Sequence, residues 1–279
     1  MISHGAITVI NAIPCGIGAA VGIDLVTKAE FKTAGIGREV RIINDIHEDT
    51  AMAEICVRRT FEHFGAEEPE GWSLSVNSQI PISRGLKSSS SACNAIISSV
   101  SEFILKEGGR KPAKKEKIDM IRLGVRCAKE ANVTVTGAFD DACACGLGGL
   151  VITDNTKDEI LHRSRAERND VILYVPKMKI RKPSLSVERF RAFADTAGSL
   201  VEIAKNDWYD ALTKNGEMVA SVLNIDNEIA KRAMSMGALA AGVSGTGPAV
   251  SVVVGKGEGR SFLKDLRHPG YETILTRTR

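Results

Sequence analysis

No apolar run in the 279-residue sequence approaches the roughly twenty residues a membrane-spanning helix needs, and no segment has the build of a secretory signal. A soluble protein of the reducing cytoplasm, with no membrane partner, is the expectation. Charge of one sign is missing too. Against 37 Lys and Arg stand 34 Asp and Glu, and a net charge of +3 argues against a nucleic-acid partner. The basic runs at 109–117 and 177–191 read as solvated loops and helix faces. Five scattered histidines form no H-E-x-x-H or other cluster, which excludes a histidine metal site. Six cysteines lack zinc spacing, and Cys143-x-Cys145 is shorter than the usual C-x-x-C. Most lie on apolar stretches, where cysteine acts as a small hydrophobe. Internal repeats and low-complexity tracts are absent.

What is present suffices for a large core. With 43% hydrophobic residues, the chain can form two packed domains or one large one. Residues 6–13 read as a buried strand followed by a Pro14-Cys15-Gly16-Ile17-Gly18 turn, and 21–31 and 39–43 alternate as further strands. A helix follows the cap candidates Asp49 and Thr50, carries Ala53, Val57, Phe61 and Phe64 on one face, and ends at Gly65. An alternating strand follows, with Trp72, Leu74, Val76 and Ile80 apolar. Ala92, Ile96, Val100 and Phe103 mark a second helix, and Ile118, Ile121, Val125 and Ala128 a third. A strand is expected over 150–153, a domain boundary in the charged segment 156–170, and another strand over 171–175. Helices are expected over 186–205, 207–222 and 226–236. A glycine-rich run at 242–248 then enters a strand over 249–254, and a charged helix leads to a last strand over 271–275. The class is α+β.

Between the Trp72 strand and its helix lies the stretch 81–92, Pro-Ile-Ser-Arg-Gly-Leu-Lys-Ser-Ser-Ser-Ser-Ala. Gly85 frees the backbone to turn, and the serines suit the first turn of a helix, whose unpaired N–H groups attract phosphate. The run is not a Walker A loop, because the residue before Lys87 is Leu86, and no complete Gly-x-Gly-x-x-Gly follows a strand. It resembles instead the second motif of the GHMP small-molecule kinases, Pro-x-x-x-Gly-Leu-Gly-Ser-Ser-Ala. Ser244-Gly245-Thr246-Gly247-Pro248 resembles their third motif, and the strand and turn at 6–18 occupy the place of the first. The segment 137–149 is similar to their Ser/Thr-Gly-x-x-Asp region, with Asp141 seven residues before Gly148. With Gly-Leu-Lys-Ser-Ser-Ser-Ser-Ala-Cys-Asn-Ala and Thr-Gly-Ala-Phe-Asp-Asp-Ala-Cys-Ala, the whole length resembles the archaeal shikimate kinases of that superfamily.

The resemblance implies the GHMP fold: an N-terminal domain like ribosomal protein S5 domain 2 over 1–165 and a C-terminal ferredoxin-like domain over 166–279, with the active site between them. It implies phosphoryl transfer from ATP to shikimate, assisted by Mg²⁺. Nucleotide contacts would come from Pro81, Arg84, Gly85, Leu86, Lys87, Ser88, Ser89, Ser90 and Ser91, and acceptor contacts from Ser244, Gly245, Thr246 and Gly247. Glu130, eleven residues before Asp141, would hold the metal with Ser89. Asp141 would accept or orient the acceptor hydroxyl, with Asp140 in reserve because galactokinase-like members place the Asp three residues after the Gly. Arg84 and the basic residues of 177–182 are candidates for the substrate carboxylate. Two departures stand out: Lys87 replaces a family glycine, and Ala6 replaces the first-motif Lys or Arg, leaving no basic partner for the Asp in that strand. A homoserine or mevalonate kinase, or a catalytically silent binding module, are the alternatives. The oligomer, monomer or homodimer, stays open.

Overall fold

The structure, a computed structural model, describes residues 1–45, 49–107, 109, 114–177 and 186–279. Ile2–Ile10 (β1) turns into Ile17–Thr33 (β2), a strand long enough to serve three antiparallel neighbours. Its first residues pair with Leu150–Asp154 (β5), its middle with β1, and its last with Gly71–Ser78 (β4). Gly37–Ile42 (β3) runs parallel to β4 at one edge, and Glu159–Ser164 (β6) pairs with β5 at the other. Helices Ala51–Phe64 (α1) and Ser88–Glu107 (α2) pack on this sheet through apolar side chains at helical spacing. Gly65 ends α1 in the left-handed conformation. At the contact, the Phe31 ring lies 5.8 Å from Phe61, 5.7 Å from Trp72 and 5.2 Å from Phe103. Each such pair contributes about 0.5–1.5 kcal/mol beyond area burial. Lys114–Glu130 (α3) packs against α1 and α2, and Phe139–Leu147 (α4) lies on β1 and β2.

A second sheet holds Asp170–Pro176 (β7), Ala240–Val243 (β8), Val250–Val254 (β9) and Tyr271–Arg277 (β10) in the order β10-β7-β9-β8, all antiparallel. Val187–Arg191 (α5), Ala194–Asn206 (α6), Trp208–Leu223 (α7) and Glu228–Ser235 (α8) connect β7 to β8, and Gly259–Asp265 (α9) connects β9 to β10. Strand order 4-1-3-2 in a β-α-β-β-α-β path is the ferredoxin-like arrangement. The two sheets share one core, in which Ile7, Val9 and Ile23 meet Leu200, Leu212 and Val253.

Three sequence expectations change. Part of the charged segment 156–170 is β6, an edge strand whose side chains alternate between exposed and half-buried, so its outward charges hide the pattern. The single helix expected over 186–205 is two, α5 and α6, broken where Phe193 leaves helical geometry at φ −105°. Strand β1 begins at Ile2 rather than residue 6. Cys56, Cys93, Cys127, Cys143 and Cys145 are buried free thiols, as apolar placement predicts. Among the described residues, no helix is long and apolar enough to cross a membrane.

Candidate active site

A cleft of about 570 Å³ opens where the loop before α2, the start of α4 and the loop after β8 converge. Gly85 sits at φ +79° with its backbone against the carbonyl of Ser244, 2.2 Å from where a Cβ would stand, so only glycine fits. Lys87 follows at φ +69°, a left-handed conformation that strains a non-glycine residue by roughly 1–3 kcal/mol. Ser88, Ser89 and Ser90, the first residues of α2, line the cleft, and the helix presents the positive end of its dipole there.

The Lys87 side chain is 7% exposed, and its ammonium lies 3.1 Å from a carboxylate oxygen of Asp141. Gly245 gives it room, since a Cβ there would stand 2.8 Å from Nζ. The basic partner missing from β1 thus arrives from the serine loop, at the position where the sequence departs from the family pattern. The strained backbone at 87 keeps the glycine conformation while adding a charge.

Asp140 and Asp141 lie in the first turn of α4, after a turn in which Gly137 and Ala138 are both left-handed. Asp140 is buried, and Asn155, from the turn after β5, holds it twice: its Nδ2 donates to Oδ1 at 2.8 Å, and its Oδ1 accepts from the Asp140 N–H at 3.2 Å. Thr153 donates to the same Asn155 oxygen at 2.6 Å. Burial first, then the charge of Asp141, pushes the Asp140 carboxyl up to about 7, opposed by Lys87 and Asn155. Gly18 makes space, because a Cβ there would lie 2.6 Å from the Asp140 carboxylate.

The loop after β8 is pinned from both sides. Ser244 Oγ donates to the Gly85 carbonyl at 2.9 Å and accepts from the Thr8 N–H at 3.1 Å. Asn11 donates through Nδ2 to the Gly245 carbonyl at 2.9 Å, while its N–H donates to Asn215 of α7 at 2.8 Å. Thr8 lines the cleft, and its buried hydroxyl has no hydrogen-bond partner among the described residues.

The structure brings Arg84, Gly85, Lys87, Ser88, Ser89, Ser90, Asp140, Asp141, Gly245 and Thr246 to one cleft. Several expected site residues do not join them. Glu130, the expected metal ligand, is not in the cleft lining; its two oxygens accept from Arg58 at 2.6 Å and Arg59 at 2.7 Å on α1. These guanidiniums, Arg59 foremost, hold its carboxyl below the usual range. Leu86 is 1% exposed in the shared core, so its side chain serves packing. Ser91 is fully buried, and its N–H donates to the carbonyl of Lys87, the residue before α2. Pro81 and Gly247 lie outside the lining, and the hydroxyl of Ser244 is spent on the two loop contacts above. Of the carboxylate candidates, Arg84 lines the cleft, Lys177 does not, and residues 178–182 lie outside the described residues. Sequence reasoning missed Asn155, Asn11 and Thr8. A turn asparagine after a strand carries no local mark of the aspartate fifteen residues before it.

Residues 51–149 match the model of the GHMP kinases N terminal domain. The shikimate kinase of Methanosarcina acetivorans is 40% identical over 255 residues, covering 90% of this chain and 83% of that protein. The shikimate kinase of Pyrococcus furiosus is 33% identical over 282 residues, covering 98% and 97%. Among solved structures, the mevalonate kinase of Methanococcus jannaschii superposes with a TM-score of 0.77 at 18% identity, over 100% of this chain and 98% of that one, which shows the shared fold. With the serine loop, the paired aspartates and the glycine loop gathered at one cleft, the chain belongs to the GHMP kinases and, within them, to the family of the archaeal shikimate kinases.

Proposed function

We propose that this chain transfers the γ-phosphoryl group of ATP to a hydroxyl of shikimate, giving shikimate 3-phosphate and ADP, a step toward chorismate and the aromatic amino acids. The acceptor rests on the shikimate kinases to which the chain is similar over most of its length. The observation that carries the chemistry is the Lys87–Asp141 pair, which joins the phosphate-binding loop to the start of α4. Phosphoryl transfer through a loose transition state asks for positioning and charge compensation more than for covalent catalysis. The α2 N-terminus and the loop from Gly85 hold the phosphates. Asp141 orients the acceptor hydroxyl and takes its proton, while Lys87 fixes that carboxylate and adds positive charge. Asp140, clamped by Asn155, positions its neighbour. Arg84, a cation among the described lining residues and a planar guanidinium, is the group for the substrate carboxylate. The hydroxyl of Thr8 and the backbone of Gly245 and Thr246 complete the acceptor side.

The cleft offers oxygen donors, from serines and the two aspartates, a set that fits a hard cation such as Mg²⁺. Ser89 would hold the ion together with phosphate oxygens and water, and the bound ion would neutralise phosphate charge. Residues of 1–165 line most of the cleft, and Gly245 and Thr246 of 166–279 complete it. The test is a coupled ADP-release assay with magnesium ATP, comparing shikimate, homoserine and mevalonate at equal concentration, with Asp141→Asn as control. Turnover on shikimate alone, lowered by orders of magnitude in the variant, is expected. Turnover on another acceptor overturns the substrate, and no turnover on any acceptor overturns the kinase reading.

A further inference from the structure

A second concavity, of about 560 Å³, lies at the other end of α4. Arg163 and Arg165, from the end of β6 and the residues after it, and Arg279 line it together with Gly148 and Gly149. No Asp or Glu is among its lining residues. Arg163 donates from Nη2 to the Leu147 carbonyl at 2.8 Å, so the negative end of the α4 dipole accounts for one guanidinium. It does not account for the others. Arg279 is anchored by its backbone, its N–H donating to the Gly22 carbonyl at 3.0 Å and its carbonyl accepting from the Gly149 N–H at 2.7 Å. Its Nη1 is buried without a hydrogen-bond partner among the described residues. Gly148 faces this guanidinium: a Cβ at 148 would lie 3.5 Å from Cζ.

Two further basic side chains feel the cluster. After burial, Arg279 is the next cause holding Lys117 below its ordinary value, followed by Arg163, and Arg279 likewise lowers His4. The carboxylate that opposes this at His4 is Asp24, already paired with Arg168 at 2.7 Å. Like charges gathered around a concavity, with a buried guanidinium nitrogen left unsatisfied, are arranged for an anion that bridges them.

We infer that the concavity formed by Arg163, Arg165 and Arg279 is a second anion site, separate from the cleft at the serine loop, and that it takes a small phosphate-bearing molecule. Planar guanidiniums match phosphate oxygens in pairs, and three of them around one space suit a dianion. The nine-residue helix α4 carries the Asp140–Asp141 pair in its first turn and this site at its last residue, so the two anion sites lie at opposite ends of one helix.

The test is thermal unfolding of the intact protein in rising inorganic phosphate, at constant ionic strength and with ADP saturating the first cleft. A ligand that binds the folded state raises the midpoint with its concentration. A saturable rise is expected in the unmodified protein, at least halved in Arg165→Gln, whose side chain is exposed, and again in Arg279→Gln. Circular dichroism at low salt shows that each variant is folded. A rise as large in both variants as in the parent, or a parent response no greater than that to chloride, overturns the inference. A response to phosphate lost in Arg165→Gln supports it whether or not ADP occupies the first cleft.

Discussion

At residue 87 two demands meet. The backbone must be left-handed to turn the loop into α2, and the side chain must reach Asp141. Lys87→Gly relieves the first and loses the second, whereas Lys87→Ala keeps the strain and loses the charge. Both should lower kcat by about a hundredfold or more, the scale of removing one preorganised electrostatic contact. Their stabilities should separate, with the glycine variant more stable than the alanine by about 1 kcal/mol. Equal denaturation midpoints would deny the strain, and a normal kcat would remove Lys87 from catalysis. Asp140 makes a pH argument. Its folded value of about 7 exceeds the ordinary 3.8, so between these values the unfolded chain releases a proton that the folded protein keeps. Stability from this group is complete below about pH 4 and falls as pH rises toward 7. Asp140→Asn cannot ionise, so it should be more stable than the parent at pH 8, by about 1–4 kcal/mol, with the gain fading toward pH 4. Denaturant titrations at pH 4 and pH 8 check this; a pH-independent difference would mean that Asp140 is ionised throughout.

At the scale of elements, α3 shows that spacing along a sequence does not fix which groups a side chain will face. Glu130 stands eleven residues before Asp141, the family separation for a metal ligand, yet the last turn of α3 lies beside α1, and two guanidiniums there take the carboxylate. Nothing in the residues around Glu130 reveals that Arg58 and Arg59, more than seventy residues earlier, will face it. Glu130→Gln should therefore leave the magnesium dependence of turnover unchanged and lower the melting temperature slightly. A raised magnesium requirement would return Glu130 to the metal site. The serine loop and the segment around Asp141 were legible for the opposite reason: glycines at forced backbone positions and polar residues beside them are local signals. The Lys87–Asp141 contact was not, because it depends on how two such elements pack. Strand β6 escaped because an edge strand with one solvated face carries charges where a pattern would show.

At the scale of the whole molecule, the sequence divides into halves that the structure joins. The α+β class and the order of most elements could be read from periodicity and turn residues, and each sheet draws its strands from one half. The shared core could not be read that way, since an apolar residue does not announce which sheet it will meet. Nor could the seam at the cleft, where Ser244 of one half holds the Gly85 carbonyl of the other and the backbone of β1 at once. That seam bears on inheritance. A chimera taking residues 1–165 from one relative and the remainder from another would carry both loops intact in sequence. It would still lack the shape of this cleft unless the incoming serine reached the resident carbonyl. The halves can therefore diverge in their surfaces but not independently at this contact, and recombination between relatives is constrained by a hydroxyl whose two partners are both backbone groups.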